Sequence, residues 1–337
     1  MSLNHFTKSM LPAIETELKH QIARLDEPHT RPFYEMLTYH MGWTGEDAGP
    51  EATGKRIRPL MTLLTVAACD IEWLRAVPAS AAIELVHNFS LVHDDIQDNS
   101  ERRRGRLTAW KIWGAPMAIN VGDALFVLSN LAVMDLGQYY TAEKTIKAAT
   151  VLHNTCLDLT RGQFLDMSYE ERENVPVENY WPMVAGKTAS LLSACCHIGS
   201  ILGSADESTQ DAYRSFGHAL GLAFQVQDDI LGIWGDEAIT GKSAASDLLE
   251  GKKSLPVLHG LTKGGKFAER WRQGPIKPSE VEEIAKLLAS EGSYEYTHAI
   301  SRQMTTMALD SLREADPQGE AGEALMELAN KLIKREQ

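Results

Sequence analysis

Two aspartate pairs stand out for the chemistry their type and spacing allow. The first, Asp94-Asp95-Ile96-Gln97-Asp98, carries a third acid four residues after its first; the second, Asp228-Asp229-Ile230-Leu231-Gly232, has glycine in that place. Each follows a long apolar stretch of the kind that forms helices. Residues i and i+4 share a helix face, so Asp94 and Asp98 would project their carboxylates together. Crowded carboxylates repel unless a cation holds them. Oxygen donors in this number suit Mg²⁺, which takes one or two protein carboxylates and completes its shell with phosphate oxygens. The pairs predict two walls of one magnesium–diphosphate site.

A short acidic run standing alone is more often a solvated helix end. Here basic clusters accompany both pairs, and a chain of net charge −13 needs local cations and metal bridges to hold an anion. Gly54-Lys55-Arg56-Ile57-Arg58-Pro59 puts three cations beside helix-start amides, a cradle for diphosphate. It lacks the spacing of a Walker loop. Arg102-Arg103-Arg104-Gly105 begins four residues after Asp98, with guanidiniums able to fork onto phosphate. Gly186-Lys187-Thr188 interrupts an apolar helix, where glycine costs about 1 kcal/mol against alanine. A kink there would turn Lys187 and Thr188 toward a cavity. Gly241-Lys242 and Gly251-Lys252-Lys253 have the spacing of a basic flap able to close over a diphosphate. His87, two turns before Asp94, is placed to donate to a second phosphate.

The elements that must position these residues read as helical throughout. Helices are expected over 8–25, from Pro59 through Cys69, and over 79–98, 115–138, 141–168, 177–203, 208–232, 245–262, 278–290, 293–315 and 319–335, with loops at 101–108 and 263–278. No alternating run is long enough for a strand. The stretches 141–168 and 177–203 are apolar on more than one face, as in a buried helix or an oligomer interface. One domain over 1–337 is expected, its 44% apolar content ample for a core. The acidic balance argues against nucleic acid, and neither a membrane span nor a signal peptide is expected. Four cysteines without metal-ligand spacing predict a reducing, cytoplasmic setting.

Taken in order, GlyLysArgIleArgPro, the segment from Ser90 to Gly105, GlyLysThr, PheGlnValGlnAspAspIleLeuGly and GlyLysLysSerLeuPro resemble the trans-isoprenyl diphosphate synthases, the family of farnesyl and geranylgeranyl diphosphate synthases. The resemblance spans roughly Gly54 to Pro256. It implies an all-α fold of the isoprenoid synthase type, a large helical bundle around a deep central cavity, usually as a homodimer. It implies a Mg²⁺-assisted, head-to-tail condensation of isopentenyl diphosphate with dimethylallyl, geranyl or farnesyl diphosphate. On the matching positions, Asp94, Asp98 and Asp228 would bind Mg²⁺, with Asp95 and Asp229 supporting or sharing ligation. Arg103, Lys187 and Lys242 would hold the allylic diphosphate, with Lys252 in the basic flap. Gly54, Lys55, Arg58, His87 and Arg104 would hold isopentenyl diphosphate, and Thr188 and Gln225 would line the reacting carbons. Gly232 departs from the family, which often has a third Asp there; Asp236 is the expected substitute.

The resemblance also implies that Phe89 and Ser90, the fifth and fourth residues before Asp94, set product length, and the pattern is like that of enzymes stopping at C20. Phe89 lies about 7–8 Å below Asp94 along a helix axis, too coarse to separate C15 from C20. Geranylgeranyl diphosphate is the expected product, with farnesyl or longer chains as alternatives. A class I terpene cyclase would need a Ser or Thr where Gly232 stands and has no use for the Gly54–Arg58 cluster. A non-catalytic regulatory subunit should show damaged ligand positions, and none is seen.

Overall fold

The computed structural model describes residues 3–170, 172–235 and 245–333. Asp236, Gly241 and Lys242 lie outside them. Contacts between residues group the chain into two units. The first comprises Met1–His153, Cys195–Gln210 and Asp316–Leu325; the second comprises Asn154–Ala194, Asp211–Ala315 and Met326–Gln337.

In the first unit, α1 (Leu3–Ile22), α2 (Arg31–His40), α3 (Pro50–Thr53), α4 (Ile57–Ala67) and α5 (Val77–Gln97) come before a short hairpin. Helices α6 (Ala109–Trp113) and α7 (Ala115–Met134) follow it. Helix α5 buries all of Val77–Val86, so its first half is core, and its polar second half carries the aspartates. Its most extensive pairing is with α7. A Cβ at Gly122 of α7 would stand 2.2 Å from His93 Nε2, so only glycine lets that imidazole seat between the helices.

The segment read as a loop over 101–108 is a two-stranded hairpin. β1 (Arg102–Arg103) pairs antiparallel with β2 (Arg106–Leu107), in the register Arg102↔Leu107 and Arg103↔Arg106. A two-residue hairpin turn of this kind needs positive φ at both central residues. Arg104 (φ 51°) and Gly105 (φ 78°) supply it. Arginine held in that region costs about 1–2 kcal/mol, and Arg104 is bonded through its side chain instead of being replaced by asparagine.

In the second unit, α8 (Ala142–Glu170) contributes its residues from Asn154 on, and the helix expected over 177–203 is broken into pieces. α9 (Tyr180–Val184) runs into a π-helical turn over Ala185–Ala189, and α10 (Ser190–Leu202) continues it. α11 (Glu207–Trp234) carries the second aspartate pair. The region 245–262, expected as one helix, is two, Ser246–Leu249 and Leu255–Lys263. Between them Gly251 takes φ 71°, which ends the first. A further helix, Lys266–Trp271, stands inside the expected linker because Phe267 and Trp271 pack into the core with Leu288. A second apolar cluster joins Tyr180, Val184, Val226 and Leu255, fixing α9, α11 and the 255–263 helix together.

Although no membrane span is expected from the sequence, the stretch Ala115–Gln138 is long and apolar enough to cross a membrane by length and composition, and 44% of its most apolar window is buried within the chain.

Candidate active site

The last turn of α5 presents Asp94 and Asp98 on one face, as spacing predicts. Asp94 is partly exposed and Asp98 exposed, and the Asp98 amide donates to the Asp94 carbonyl at 2.8 Å to cap the helix. Asp95 points elsewhere. Its side chain is 3% exposed, and Arg103 grips Oδ1 with both Nε and a terminal nitrogen at 2.8 Å. Burial pushes the Asp95 carboxyl up to about 6, against the pull of Arg103 and with help from Asp94 and Asp98. Geometry therefore makes Asp95 the anchor that aims Arg103 across the end of α5, where the guanidinium also comes within 3.7 Å of Asp94.

The cations of the Gly54–Pro59 segment part company. Lys55 is exposed, and Arg58 donates to His87 Nε2 at 3.3 Å. A guanidinium only donates, so Nε2 accepts and the ring proton sits on Nδ1. Burial, then Arg58 and the neighbouring arginines, hold His87 well below its ordinary pKa, so it is neutral at pH 7. Gly54 (φ 78°) leaves the space in which the Arg104 guanidinium lies; a Cβ there would be 2.6 Å from Arg104 Cζ. Arg104 also donates to the Ala52 carbonyl at 2.9 Å. Arg56 is instead buried within the protein, on carboxylates.

His40, which carries no signal in the sequence, lines a small open pocket with Ala52, Asp95, Arg103 and Arg104. Burial foremost, then Arg103, Arg104 and Arg56, lower its pKa to about 3. Such a group stabilises the fold fully above its unfolded pKa near 6.5, and that contribution is lost as pH falls toward 3, because the unfolded chain then binds the extra proton. Each such proton steepens the loss by about 1.4 kcal/mol per pH unit. His40→Gln is expected to flatten the fall in urea midpoint between pH 7 and pH 5; an unchanged slope would contradict it.

In the second unit the break in the helix at Gly186 has a steric cause. A Cβ on Gly162 would stand 2.1 Å from the Lys187 nitrogen, and one on Gly186 2.6 Å from the Asp158 carbonyl, so two glycines let the backbones touch. The π turn there aims Lys187 at Asp166 and Thr188 at Gln225. A directional chain follows: Thr188 Oγ1 donates to Gln225 Oε1 at 2.8 Å, and Gln225 Nε2 donates to Asp229 Oδ1 at 2.9 Å. Asp229 Oδ2 accepts from the Leu255 amide at 2.9 Å, and the residue is 1% exposed. Asp229 is thus an internal anchor like Asp95, leaving Asp228, one residue earlier and half-buried, as the outward acid. Tyr180 is an unforeseen neighbour; burial, then Asp229 and Asp228, raise its pKa well above the ordinary value.

Lys252 and Lys253 diverge. Lys253 donates to the carbonyls of Tyr169 and Glu170, pinning the turn to α8. Burial disfavours charge on Lys252, yet the carboxylates of Asp229, Asp247, Asp166 and Asp228 hold its pKa above the ordinary value. Lys187, Thr188, Gln225, Asp229 and Lys252 line a second pocket. Asp247 explains Gly232: a Cβ at Gly232 would stand 2.6 Å from the Asp247 carboxyl carbon and from each of its oxygens. The space of the missing third acid is filled by another acid.

Among the described residues no three His, Cys, Asp or Glu side chains gather closely enough to hold a metal by themselves. That donor chemistry fits Mg²⁺, for which a few outward carboxylates are completed by diphosphate oxygens and water, and does not fit a site built wholly from protein ligands.

The polyprenyl synthetase family profile matches residues 47–288. The chain belongs to the polyprenyl synthetase family. A geranylgeranyl diphosphate synthase of Mycobacterium tuberculosis is 36% identical over 315 residues, 91% of this chain and 89% of that protein. A (2E,6E)-farnesyl diphosphate synthase of Mycobacterium bovis is 34% identical, over 96% of this chain and 90% of its own. The crystal structure of a geranylgeranyl pyrophosphate synthetase from Pyrococcus horikoshii superposes with a TM-score of 0.89 at 34% identity, covering 99% of this chain and 98% of that one. This polyprenyl synthetase has the all-α isoprenoid synthase fold and is a short-chain trans-prenyltransferase. Its family works with a divalent metal.

Proposed function

We propose that the chain condenses isopentenyl diphosphate with an allylic diphosphate, with Mg²⁺, and releases geranylgeranyl diphosphate. The observation that carries this is the division of labour within each aspartate pair. Asp95 and Asp229 are buried anchors for cationic and amide partners, while Asp94, Asp98 and Asp228 are the more exposed acids, which supports reading them as the metal ligands. Arg103, Lys187 and Lys242 bind the allylic diphosphate, and Lys55, Arg58, His87 and Arg104 the isopentenyl diphosphate. Lys242 lies outside the described residues, and its role rests on the sequence alone.

The allylic C–O bond breaks with its electron pair leaving on diphosphate, and an allylic cation remains. Mg²⁺, when bound, supplies positive charge to the departing diphosphate. Arg103 and Lys187 add fixed positive charge where negative charge develops. The isopentenyl double bond attacks the cation, a carbon–carbon bond forms, and the proton lost goes to the departing diphosphate. Thr188 and Gln225, locked by the chain to Asp229, present a fixed polar edge to the reacting carbons. Incorporation of labelled isopentenyl diphosphate should require both an allylic starter and Mg²⁺; incorporation unaffected by chelator would overturn the metal assignment.

Phe89 and Ser90 are assigned to the end of the product pocket. Phe89 is turned about 140° around α5 from Asp94. Its ring lies 5.1 Å from Phe126 of α7 and 5.8 Å from His93. Ser90 shares the face of Asp94 and folds its hydroxyl back onto the His87 carbonyl at 2.8 Å. Phe89→Ala is expected to shift the main product beyond C20; unchanged product length would remove Phe89 from the floor.

Helix α7 exposes Met117, Ile119, Phe126, Val127, Leu131 and Met134. We assign this face to a second copy of the chain, as a homodimer, because aliphatic and aromatic side chains of this size gain most from burial against their like. The same face accounts for the apolar character of the 115–138 stretch without a membrane. The four cysteines are free thiols, in keeping with a cytoplasmic setting.

A further inference from the structure

The buried member of the Gly54–Pro59 cluster has no place in the chemistry above. Arg56 is the N-cap residue of α4 at φ 48°, ψ 39°, a left-handed conformation without glycine's freedom, and no side chain caps the helix there. Its side chain is 2% exposed. Nε donates to Glu15 of α1 at 2.6 Å and a terminal nitrogen to Glu84 of α5 at 2.7 Å. Each acid is held in turn: Trp43 donates to the second Glu15 oxygen at 2.8 Å, and Asn88 donates to Glu84 at 3.0 Å.

Glu84 and His87 are three residues apart and so neighbours on α5. Arg56 and Arg58 reach them in parallel, and the turn is joined to the helix by two rungs. One is a buried, charge-assisted bond with both partners fixed. The other, Arg58 to His87 at 3.3 Å, joins a permanent cation to a neutral ring and is the looser contact. The first rung keeps the turn in place when a diphosphate arrives.

We propose that Arg56 is a positioning residue for isopentenyl diphosphate: its clamp on Glu84 and Glu15 locks the left-handed turn that sets Arg58 beside His87 and carries the exposed Lys55 next to it in the chain. This rests on the reading of Lys55, Arg58 and His87 as the isopentenyl subsite. The fork of the guanidinium is what matters, since it reaches two carboxylates on two helices at once, whereas an ammonium meets one.

Steady-state kinetics of Arg56→Lys and Glu84→Gln, with thermal midpoints and calorimetric binding of isopentenyl diphosphate, test it. In Arg56→Lys the KM and Kd for isopentenyl diphosphate are expected to rise tenfold or more, with the allylic KM and the kcat at saturation within twofold. Glu84→Gln should move the same constant by less and carries the test if Arg56→Lys does not fold. An isopentenyl KM within twofold of the parent, or equal weakening of both substrates with a lowered melting point, would overturn the proposal, the latter outcome making Arg56 a matter of stability alone. Arg58→Ala separates the two levels. If it leaves isopentenyl binding unchanged, the subsite reading itself fails and the proposal goes with it.

Discussion

Asp94→Ala is expected to lower kcat/KM for the allylic diphosphate by about a thousandfold, roughly 4 kcal/mol of transition-state stabilisation at 1.36 kcal/mol per decade. The fold should not suffer. Asp94 and Asp98 stand at the C-terminal end of α5, where the helix dipole disfavours negative charge by about 0.3–1 kcal/mol for each exposed acid. They are also near each other and near Asp95. With Arg103 3.7 Å from Asp94 offsetting that repulsion, removing one is expected to leave the melting point little changed while activity collapses. That contrast between stability and turnover marks acids kept for chemistry, and it separates them from Asp95. Asp95→Ala would leave Arg103 without its buried anchor and is expected to lose stability as well as rate. Asp98→Ala should behave like Asp94→Ala, and the double variant should cost little more than either, because the two acids act as a unit.

Gly232→Asp, which restores the acid often found in the family, is expected to harm the enzyme. The first added carbon meets the Asp247 carboxylate at 2.6 Å, and a second carboxyl group would follow it into a buried region already holding Asp229 and Asp247. Overpacking alone costs roughly 1–3 kcal/mol, and buried like charges add to it. Activity should fall at least tenfold, with a lower melting point and weaker Mg²⁺ dependence. Combining it with Asp247→Gly, which returns space and charge count to their original values, should recover part of both losses. A Gly232→Asp enzyme as stable and active as the parent would show that Asp247 does not own that space.

The sequence shows the helices well, because the apolar spacing in α1, α5, α7 and α11 is regular and long. It hides the hairpin at 102–107, whose strands are two residues each and carry arginine in place of any alternating pattern. The aspartate motifs were visible, but not the inward turn of Asp95 and Asp229, since neighbouring residues on a helix differ only by rotation of about 100° and burial depends on what packs against each. Likewise Lys55, Arg56 and Arg58 read as three equal cations; only the approach of Glu15 and Glu84, from distant segments, takes Arg56 out of the set. Asp247 was missed for a similar reason. It fills the gap at Gly232 from a separate turn of chain, whereas the reading by spacing looked one helical turn ahead, to Asp236.

The fate of the allylic carbon after its diphosphate leaves decides what the enzyme makes. Dimethylallyl diphosphate and excess labelled isopentenyl diphosphate, incubated with the purified chain and Mg²⁺, should yield a linear C20 allylic diphosphate carrying three labelled units. Release of diphosphate with only alcohols or cyclic hydrocarbons, and no label in the product, would contradict it.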